Sequence, residues 1–116
     1  MNLKLIMALV ADDKTEPVLD AARAAGATGS TVITSVRGEG LEPVKTFLGL
    51  EVAAKRDVLM FIVAAPKARE ILETINEAGC FDDEPGSGIA FQLSIEDAVG
   101  LGSQADAIKQ EIEESI

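Results

Sequence analysis

The run VLMFIVAA, Val58–Ala65, contains no polar side chain. A short apolar run that is rich in β-branched residues and is followed by proline predicts a strand buried on both faces. The run LKLIMALVA, Leu3–Ala11, predicts a second such strand, because apolar residues occupy both alternating sets of its positions. The two runs together indicate a β-sheet that has to be covered on both sides.

Helices and further strands surround these two runs and complete a familiar order of elements. Helical apolar spacing and cap signals predict the helices, with Thr15 as the cap of the first one, and β-branched or alternating patterns predict the strands. The remaining predicted elements are helices Thr15–Ala25 and Lys67–Ala78, strands Thr31–Arg37 and Ile89–Ile95, a helical turn at Glu96–Val99 and a terminal helix at Ser103–Ile116.

The order of elements is βαββαβ, which predicts an α+β fold, the ferredoxin-like sandwich with a C-terminal helix, in a single domain over residues 1–116. Its two helices cover one face of a four-stranded antiparallel sheet, and the other face should be polar in a monomer. Here that face is apolar, and soluble monomers rarely expose so large an apolar patch. We therefore predict a closed homo-oligomer with inward-facing sheets. The alternative is that the terminal helix folds over the open face.

The composition excludes several kinds of chemistry. The 116 residues include no histidine, tyrosine or tryptophan and one cysteine, Cys80. Without histidine, Ser-His-Asp and Cys-His catalysis and imidazole metal ligands are excluded. A lone cysteine excludes an intrachain disulfide and a cysteine zinc cage, and it fits a reducing cytoplasm. No apolar run approaches the ~20 residues that span a bilayer, so we expect a cytoplasmic protein that is not an integral membrane protein.

The charge is acidic and unevenly placed. The formal net charge is −10. Residues 1–69 hold nine basic and eight acidic residues, whereas residues 70–116 hold one basic and twelve acidic residues. Nucleic acid is not an expected partner, because its phosphates would meet a repulsive field and the chain has no aromatic and basic platform.

Two segments carry a resemblance to a known family. GATGSTVITSVRGEG, Gly26–Gly40, resembles the part of the P-II nitrogen-regulatory signalling family that runs from the first helix through the second strand to the base of a long loop. PGSGIAFQLSIEDAVGL, Pro85–Leu101, resembles the family's Gly-Asp-Gly-Lys turn, last core strand and short acidic helix. The resemblance covers Leu3–Gly102, which is most of the chain.

The resemblance implies a trimeric sensor with an adenine nucleotide in each cleft between subunits. It also implies a mobile loop that docks on a membrane transporter, a metabolic enzyme or a regulator and so regulates nitrogen utilisation or related metabolism. That loop corresponds to Gly38–Asp57, and it lacks the tyrosine that the family uridylylates. An alternative for VKTFLGLEVAAK within it is a short amphipathic helix that packs on its own trimer.

The resemblance also implies site residues, which it places on the two motif turns and on the strands. Glycines at the loop base and second turn would let backbone N–H groups approach a phosphate. A strand-two threonine and two apolar strand residues would lie on the adenine side. In that order, these residues are Gly38, Gly40, Gly86, Gly88, Thr31, Leu9 and Ala64.

Departures from the family pattern affect the expected ligand. Ser87 replaces the aspartate of the second turn, Ile89 replaces the lysine after it, and Gly100 and Gly102 replace two phosphate-gripping arginines. Because these cations are missing, AMP or ADP is expected rather than ATP, with a small anion or no ligand as alternatives. Strict 2-oxoglutarate sensing is not expected. The nearest replacement cations are Arg37, Lys55 and Arg56.

Two other functions of the same fold are disfavoured by the residues present. A trimeric metal-tolerance protein is disfavoured by the missing histidines and tyrosines, and an acylphosphatase-like enzyme by the acidic loop ADDKTEP, where that chemistry needs an arginine. We therefore predict a protein that is not an enzyme, with a ligand-free structural oligomer as a further alternative. The carboxylates of Asp82, Asp83 and Glu84 are either a cation site or a solvated turn.

Overall fold

The computed structural model of this chain describes residues 2–36, 46–47, 50–51, 55–102 and 108–109. A short 3-10 turn, Asp12–Lys14, joins the first strand to the first helix. The strands are β1 (Leu3–Ala11), β2 (Thr31–Val36), β3 (Thr46–Phe47), β4 (Leu50–Glu51), β5 (Arg56–Ala64) and β6 (Gly88–Ser94), and the helices are α1 (Thr15–Ala24) and α2 (Ala65–Gly79).

The main sheet confirms the predicted ferredoxin-like topology. Its strand order is β2-β5-β1-β6, and all neighbouring strands are antiparallel. The two apolar runs, β1 and β5, are the central strands, with Ile6 opposite Phe61 and Met7 opposite Met60. Central strands are flanked on both edges, so their side chains have the most neighbours on each face.

One face of the sheet forms the core with both helices. Ile6, Ala8 and Val10 of β1 are fully buried there, beside Leu59 and Phe61 of β5. The apolar stripes of the helices cover these strand residues, as their spacing predicts. The helical residues in this core are Val18, Leu19 and Ala22 of α1 and Ala68, Ile71 and Ile75 of α2.

The opposite face, which we call the open face, is also apolar. Side chains of β1 and β5 alternate in direction, so Leu5, Met7 and Met60 project from this side and are only half-buried. On the edge strand β6, Ile89 is 59% exposed. The prediction of a sheet that is apolar on both faces is confirmed. The larger apolar residues of the described strands on this face are Leu3, Leu5, Met7, Leu9, Ile33, Val58, Met60, Ile62, Ile89, Phe91 and Leu93.

The segment between β2 and β5 differs from the prediction in two ways. Strand β5 begins at Arg56 and not at Val58, so Arg56 and Asp57 belong to the sheet and not to the predicted loop. Thr46–Phe47 and Leu50–Glu51 pair as two short antiparallel strands, which contradicts the alternative of an amphipathic helix there. A two-residue connection that contains glycine, here with the sequence Leu-Gly, is typical of a β-hairpin.

The predictions for the end of the chain had mixed outcomes. The predicted helical turn at Glu96–Val99 is wrong, because these residues have no regular structure. Val99 is 96% exposed, so no packing stabilises a helix that would be too short to form alone. In the predicted terminal helix, Ile108 and Lys109 are helical, and the rest lies outside the described residues. In the part of the chain that the structure describes, no helix is long and apolar enough to cross a membrane.

The packing of α2 can be tested by truncating one side chain. Ile71→Ala should lower the free energy of unfolding by about 2–5 kcal/mol, because it leaves a cavity in the core where Ile71 is fully buried. Val99→Ala is the control and should change the same quantity by less than about 0.5 kcal/mol. Urea denaturation followed by circular dichroism measures both, and equal losses for the two variants would contradict this placement of α2.

Candidate functional site

Four strand ends meet at one end of the sheet, and most of the predicted site residues lie there. Val36, the last residue of β2, is opposite Arg56 of β5, and Arg56 is opposite Ala11, the last residue of β1. Gly88, the first residue of β6, is opposite Val10. The predicted site residues that the structure brings to this end are Leu9, Lys55, Arg56, Gly86, Ser87 and Gly88.

The turn that joins α2 to β6, residues 80–88 with Gly88 as the first strand residue, is held by hydrogen bonds within itself and to β1. Cys80 ends α2 in the left-handed conformation, with φ 54°. The Ser87 hydroxyl donates to the Cys80 carbonyl oxygen at 3.1 Å, and the Ala11 N–H donates to the Ser87 carbonyl oxygen at 2.9 Å. Ser87 is 4% exposed. Its side chain therefore stabilises the turn from inside and offers almost no surface to a ligand.

The two glycines of this turn have different physical reasons to be glycine. Gly86 has φ 82°, a left-handed conformation that glycine adopts without steric cost. A Cβ on Gly88 would lie 2.7 Å from the Leu9 carbonyl oxygen and 2.5 Å from the Phe81 ring. Gly88 is therefore required by close packing between strand and turn, whether or not a ligand approaches it.

A positive charge lies directly beside the turn. Arg56 is 6% exposed, and its Nη1 donates to the Gly86 carbonyl oxygen at 2.7 Å. The Lys55 side chain, next to it, is exposed. Of these two predicted cations, Arg56 therefore stabilises the turn and Lys55 faces solvent. Arg37, Gly38 and Gly40 directly follow β2 in the sequence but lie outside the described residues.

A buried carboxylate that the sequence analysis did not identify completes this end. Asp57 is 8% exposed; its Oδ2 accepts a hydrogen bond from the Thr15 hydroxyl at 2.5 Å, and its Oδ1 accepts one from the Ser35 N–H at 3.3 Å. The prediction that Thr15 caps α1 is wrong, because Lys14 is the N-cap residue and the Thr15 hydroxyl is used by Asp57. A charged pair placed directly before an all-apolar run was the sequence signal for this network.

The acidic residues of the turn bind different partners and do not converge on one point. Glu84 forms an ion pair with Lys14 at 2.9 Å, and Asp82 accepts a hydrogen bond from the Asn76 amide at 2.8 Å. The hydrogen bond to Glu84 raises the pKa of Lys14 above its ordinary value. Within residues 2–36 and 55–102, no group of three acidic or cysteine side chains is placed to hold a metal ion. The trio at 82–84 therefore fits the interpretation as a solvated turn.

Thr31 lies elsewhere, in a small cavity on the open face. The cavity has a volume of about 280 Å³ and is lined by Leu5, Gly29, Ser30, Thr31, Met60 and Ile62. Thr31 is opposite Met60, three strands away from Gly88 and three residues further along. From ordinary strand spacings this separates the two residues by roughly 17 Å. A single chain therefore does not unite Thr31 with the turn at 80–88.

Ala64 is also remote from this end of the sheet. It is opposite Leu3, whereas Leu9 is opposite Val58, so roughly 20 Å of strand separates Ala64 from Leu9. Ala64 is 3% exposed. Its predicted place on the adenine side of a cleft has no support from the single chain and stays a prediction.

Comparisons with known proteins give a family match and a similar fold. The family model described as nitrogen regulatory protein P-II matches residues 3–105 of this chain. Among solved structures, a protein from Thermus thermophilus assigned to the PII-like signalling proteins has a TM-score of 0.60 and 22% sequence identity, over 82% of this chain and 88% of that chain. At that identity the structural likeness concerns the fold. A search of curated protein sequences gives no significant match.

The packing role of Gly88 can be separated from a ligand role by one substitution. Gly88→Ala should lower the free energy of unfolding by about 1–3 kcal/mol without any ligand, because its Cβ would overlap the Leu9 carbonyl oxygen. Gly102→Ala is the matched control, since its Cβ would meet nothing within 4 Å. Thermal unfolding of both variants measures the difference, and a fully stable Gly88→Ala would contradict the close approach.

Proposed function

The chain belongs to the nitrogen regulatory protein P-II family, and we propose that it is a non-enzymatic signalling protein that binds AMP or ADP between the subunits of a homotrimer. In this proposal the segment after β2, residues 38–55, contacts a regulated partner, either a membrane transporter or a metabolic enzyme of nitrogen or related metabolism. The observation that carries the proposal is the apolar open face, because it requires a cover and contains one half of a candidate site, the cavity beside Thr31.

The open face favours association of identical copies. Its apolar residues extend across all four strands of the main sheet, and those on the two edge strands, β2 and β6, are the most exposed. Burying a few hundred square ångströms at ~25 cal/mol per Å² would favour association by several kcal/mol before ordering costs. A closed ring of three copies is one way to remove this face from water.

Association would also bring the two halves of the candidate site together. The cavity beside Thr31 has apolar walls and hydroxyl groups, which suits a flat base that carries hydrogen-bonding edges. The turn that holds Gly86 has backbone groups and a nearby arginine, which suits a phosphate. Because these halves lie apart in one chain, a complete nucleotide site would need one half from each of two neighbouring copies.

The cations that remain favour a nucleotide with one or two phosphates. Arg56 is buried and bound to the Gly86 carbonyl oxygen, and Lys55 is the exposed cation beside it. Gly100 and Gly102 contribute no side chain where the family has arginines. A triphosphate carries more negative charge than these groups would neutralise, so AMP or ADP fits better than ATP.

The association through the open face is tested by charging it. The wild-type protein should sediment as a trimer at micromolar concentration, and Leu93→Glu should sediment as a monomer, because it places a charge on the apolar face. Val99→Glu introduces the same charge at an exposed residue outside the sheet and should stay trimeric. A monomeric wild type, or a trimeric Leu93→Glu, would refute association through this face.

Nucleotide binding is tested by calorimetric titration with AMP, ADP, ATP and a cyclic nucleotide. We expect binding of AMP or ADP, and a loss of about tenfold in ADP affinity for Lys55→Gln, because one charge-assisted hydrogen bond to phosphate is removed. Lys67→Gln makes the same charge change at the opposite end of the sheet and should bind ADP like the wild type. Absence of heat with all four nucleotides would eliminate the nucleotide from the proposal.

A further inference from the structure

The base of the segment that leaves β2 contains an unusual backbone conformation. Ser35 has φ 60°, in the left-handed region that side chains other than glycine, asparagine and aspartate rarely adopt. The pairing of β2 with β5 shifts register between Ile33 and Val36, the interval that contains Ser35. A conformation that costs free energy persists only where neighbouring contacts offset the cost.

The backbone N–H of Ser35 donates a hydrogen bond to Asp57. Its Oδ1 accepts the Ser35 N–H at 3.3 Å, and its Oδ2 is held by the Thr15 hydroxyl at 2.5 Å. A carboxylate at 8% exposure is costly unless hydrogen bonds compensate for lost water, so the two donors also stabilise Asp57 itself. Asp57 thus ties the end of β2 to the start of α1.

Its neighbour ties the same strand to the turn that holds Gly86. Successive side chains of a strand point to opposite faces, so Arg56 and Asp57 reach in different directions from adjacent backbone positions. Arg56 donates to the Gly86 carbonyl oxygen at 2.7 Å, while Asp57 accepts from Ser35. Because Arg56 and Asp57 are adjacent in β5, a backbone movement that changes one of these hydrogen bonds also affects the other.

We infer that Asp57 is a positioning residue that holds Ser35 in the left-handed conformation and thereby sets the direction in which the chain leaves β2. Together with Arg56, it links the turn at 80–88 to the end of β2. The functional half of this inference rests on the proposed function, since it names the residues that would connect ligand binding to the partner-contacting segment. The conformational half concerns the protein without ligand.

The conformational half is tested by nuclear magnetic resonance on the ligand-free protein. The Cα and Cβ shifts and the HN–Hα coupling of Ser35 report its φ. In Asp57→Ala, Ser35 should leave the left-handed region, and Thr15→Val should shift it in the same direction. Asp57→Asn retains an acceptor for the Ser35 amide and should have the smallest effect. If Ser35 remains left-handed in both Asp57→Ala and Thr15→Val, the inference is wrong.

A double-mutant cycle measures the coupling between the two residues. Glycine adopts the left-handed conformation freely, so Asp57→Ala should reduce the folding equilibrium constant about tenfold less in the Ser35→Gly background than in the wild-type background. Ser35→Val should reproduce the loss caused by Asp57→Ala. Asp20→Ala, which removes an exposed carboxylate of α1, is the control, and its effect on stability should be independent of Ser35→Gly.

Additive effects of Asp57→Ala and Ser35→Gly on the free energy of unfolding would overturn the inference. If Asp57→Ala does not fold, the cycle is run with Thr15→Val.

ADP titration then separates this inference from the proposed function. Folded Asp57→Ala should bind ADP about tenfold more weakly than the wild type, and Ser35→Gly should restore most of the affinity, which a merely stabilising role would not predict. Unchanged ADP affinity in Asp57→Ala would overturn the link to the ligand. A wild type that binds no nucleotide would refute the proposed ligand, while the conformation of Ser35 would still decide the role of Asp57.

Discussion

Two central strands that are apolar on both faces constrain the whole molecule. The helices α1 and α2 cover one face of β1 and β5, and their residues Ile71 and Ile75 are fully buried there. The βαβ connections place both helices on that same side, so neither α1 nor α2 covers the other face. The fold therefore has a fully packed core on one side of the sheet and an exposed apolar surface on the other. In the proposed function, the uncovered apolar face is the reason that copies assemble and that each site is shared between two of them.

Buried polar contacts lie at one end of the sheet, where the apolar strand β1 ends and the apolar strand β5 begins. Arg56 and Asp57 are buried, yet each is bound to a group from another segment: the turn at 80–88, the end of β2 and the start of α1. Buried charges are tolerated when hydrogen bonds replace their water, and the same bonds then fix the relative positions of the segments. Stability and the geometry of the candidate site consequently depend on the same few contacts.

The motifs that carry the family resemblance combine residues with different physical roles. Gly88 is excluded from bearing a side chain by the Leu9 carbonyl oxygen, and the Ser87 hydroxyl is used within its own turn. Gly86 instead has a left-handed backbone conformation, and its carbonyl oxygen accepts a hydrogen bond from Arg56. A glycine in a ligand-binding motif is therefore not by itself a ligand contact. Among the described residues of the candidate site, the exposed Lys55 and the cavity beside Thr31 have surface to offer a ligand.

The sequence by itself determined the ferredoxin-like order of elements and the two-sided apolar sheet, because periodicity and local turn signals are written along the chain. The resemblance of two motifs, Gly26–Gly40 and Pro85–Leu101, indicated the family. It also predicted the residues at the turn after α2. Only the tertiary structure decided that β5 starts at Arg56, that Thr15 serves Asp57 instead of capping α1, and that Glu96–Val99 is not helical. Those outcomes depend on partners more than 20 residues away, or on the absence of packing around an exposed residue such as Val99. A local sequence pattern does not contain information about contacts between residues so far apart. These contacts stabilise the protein because they are buried away from water.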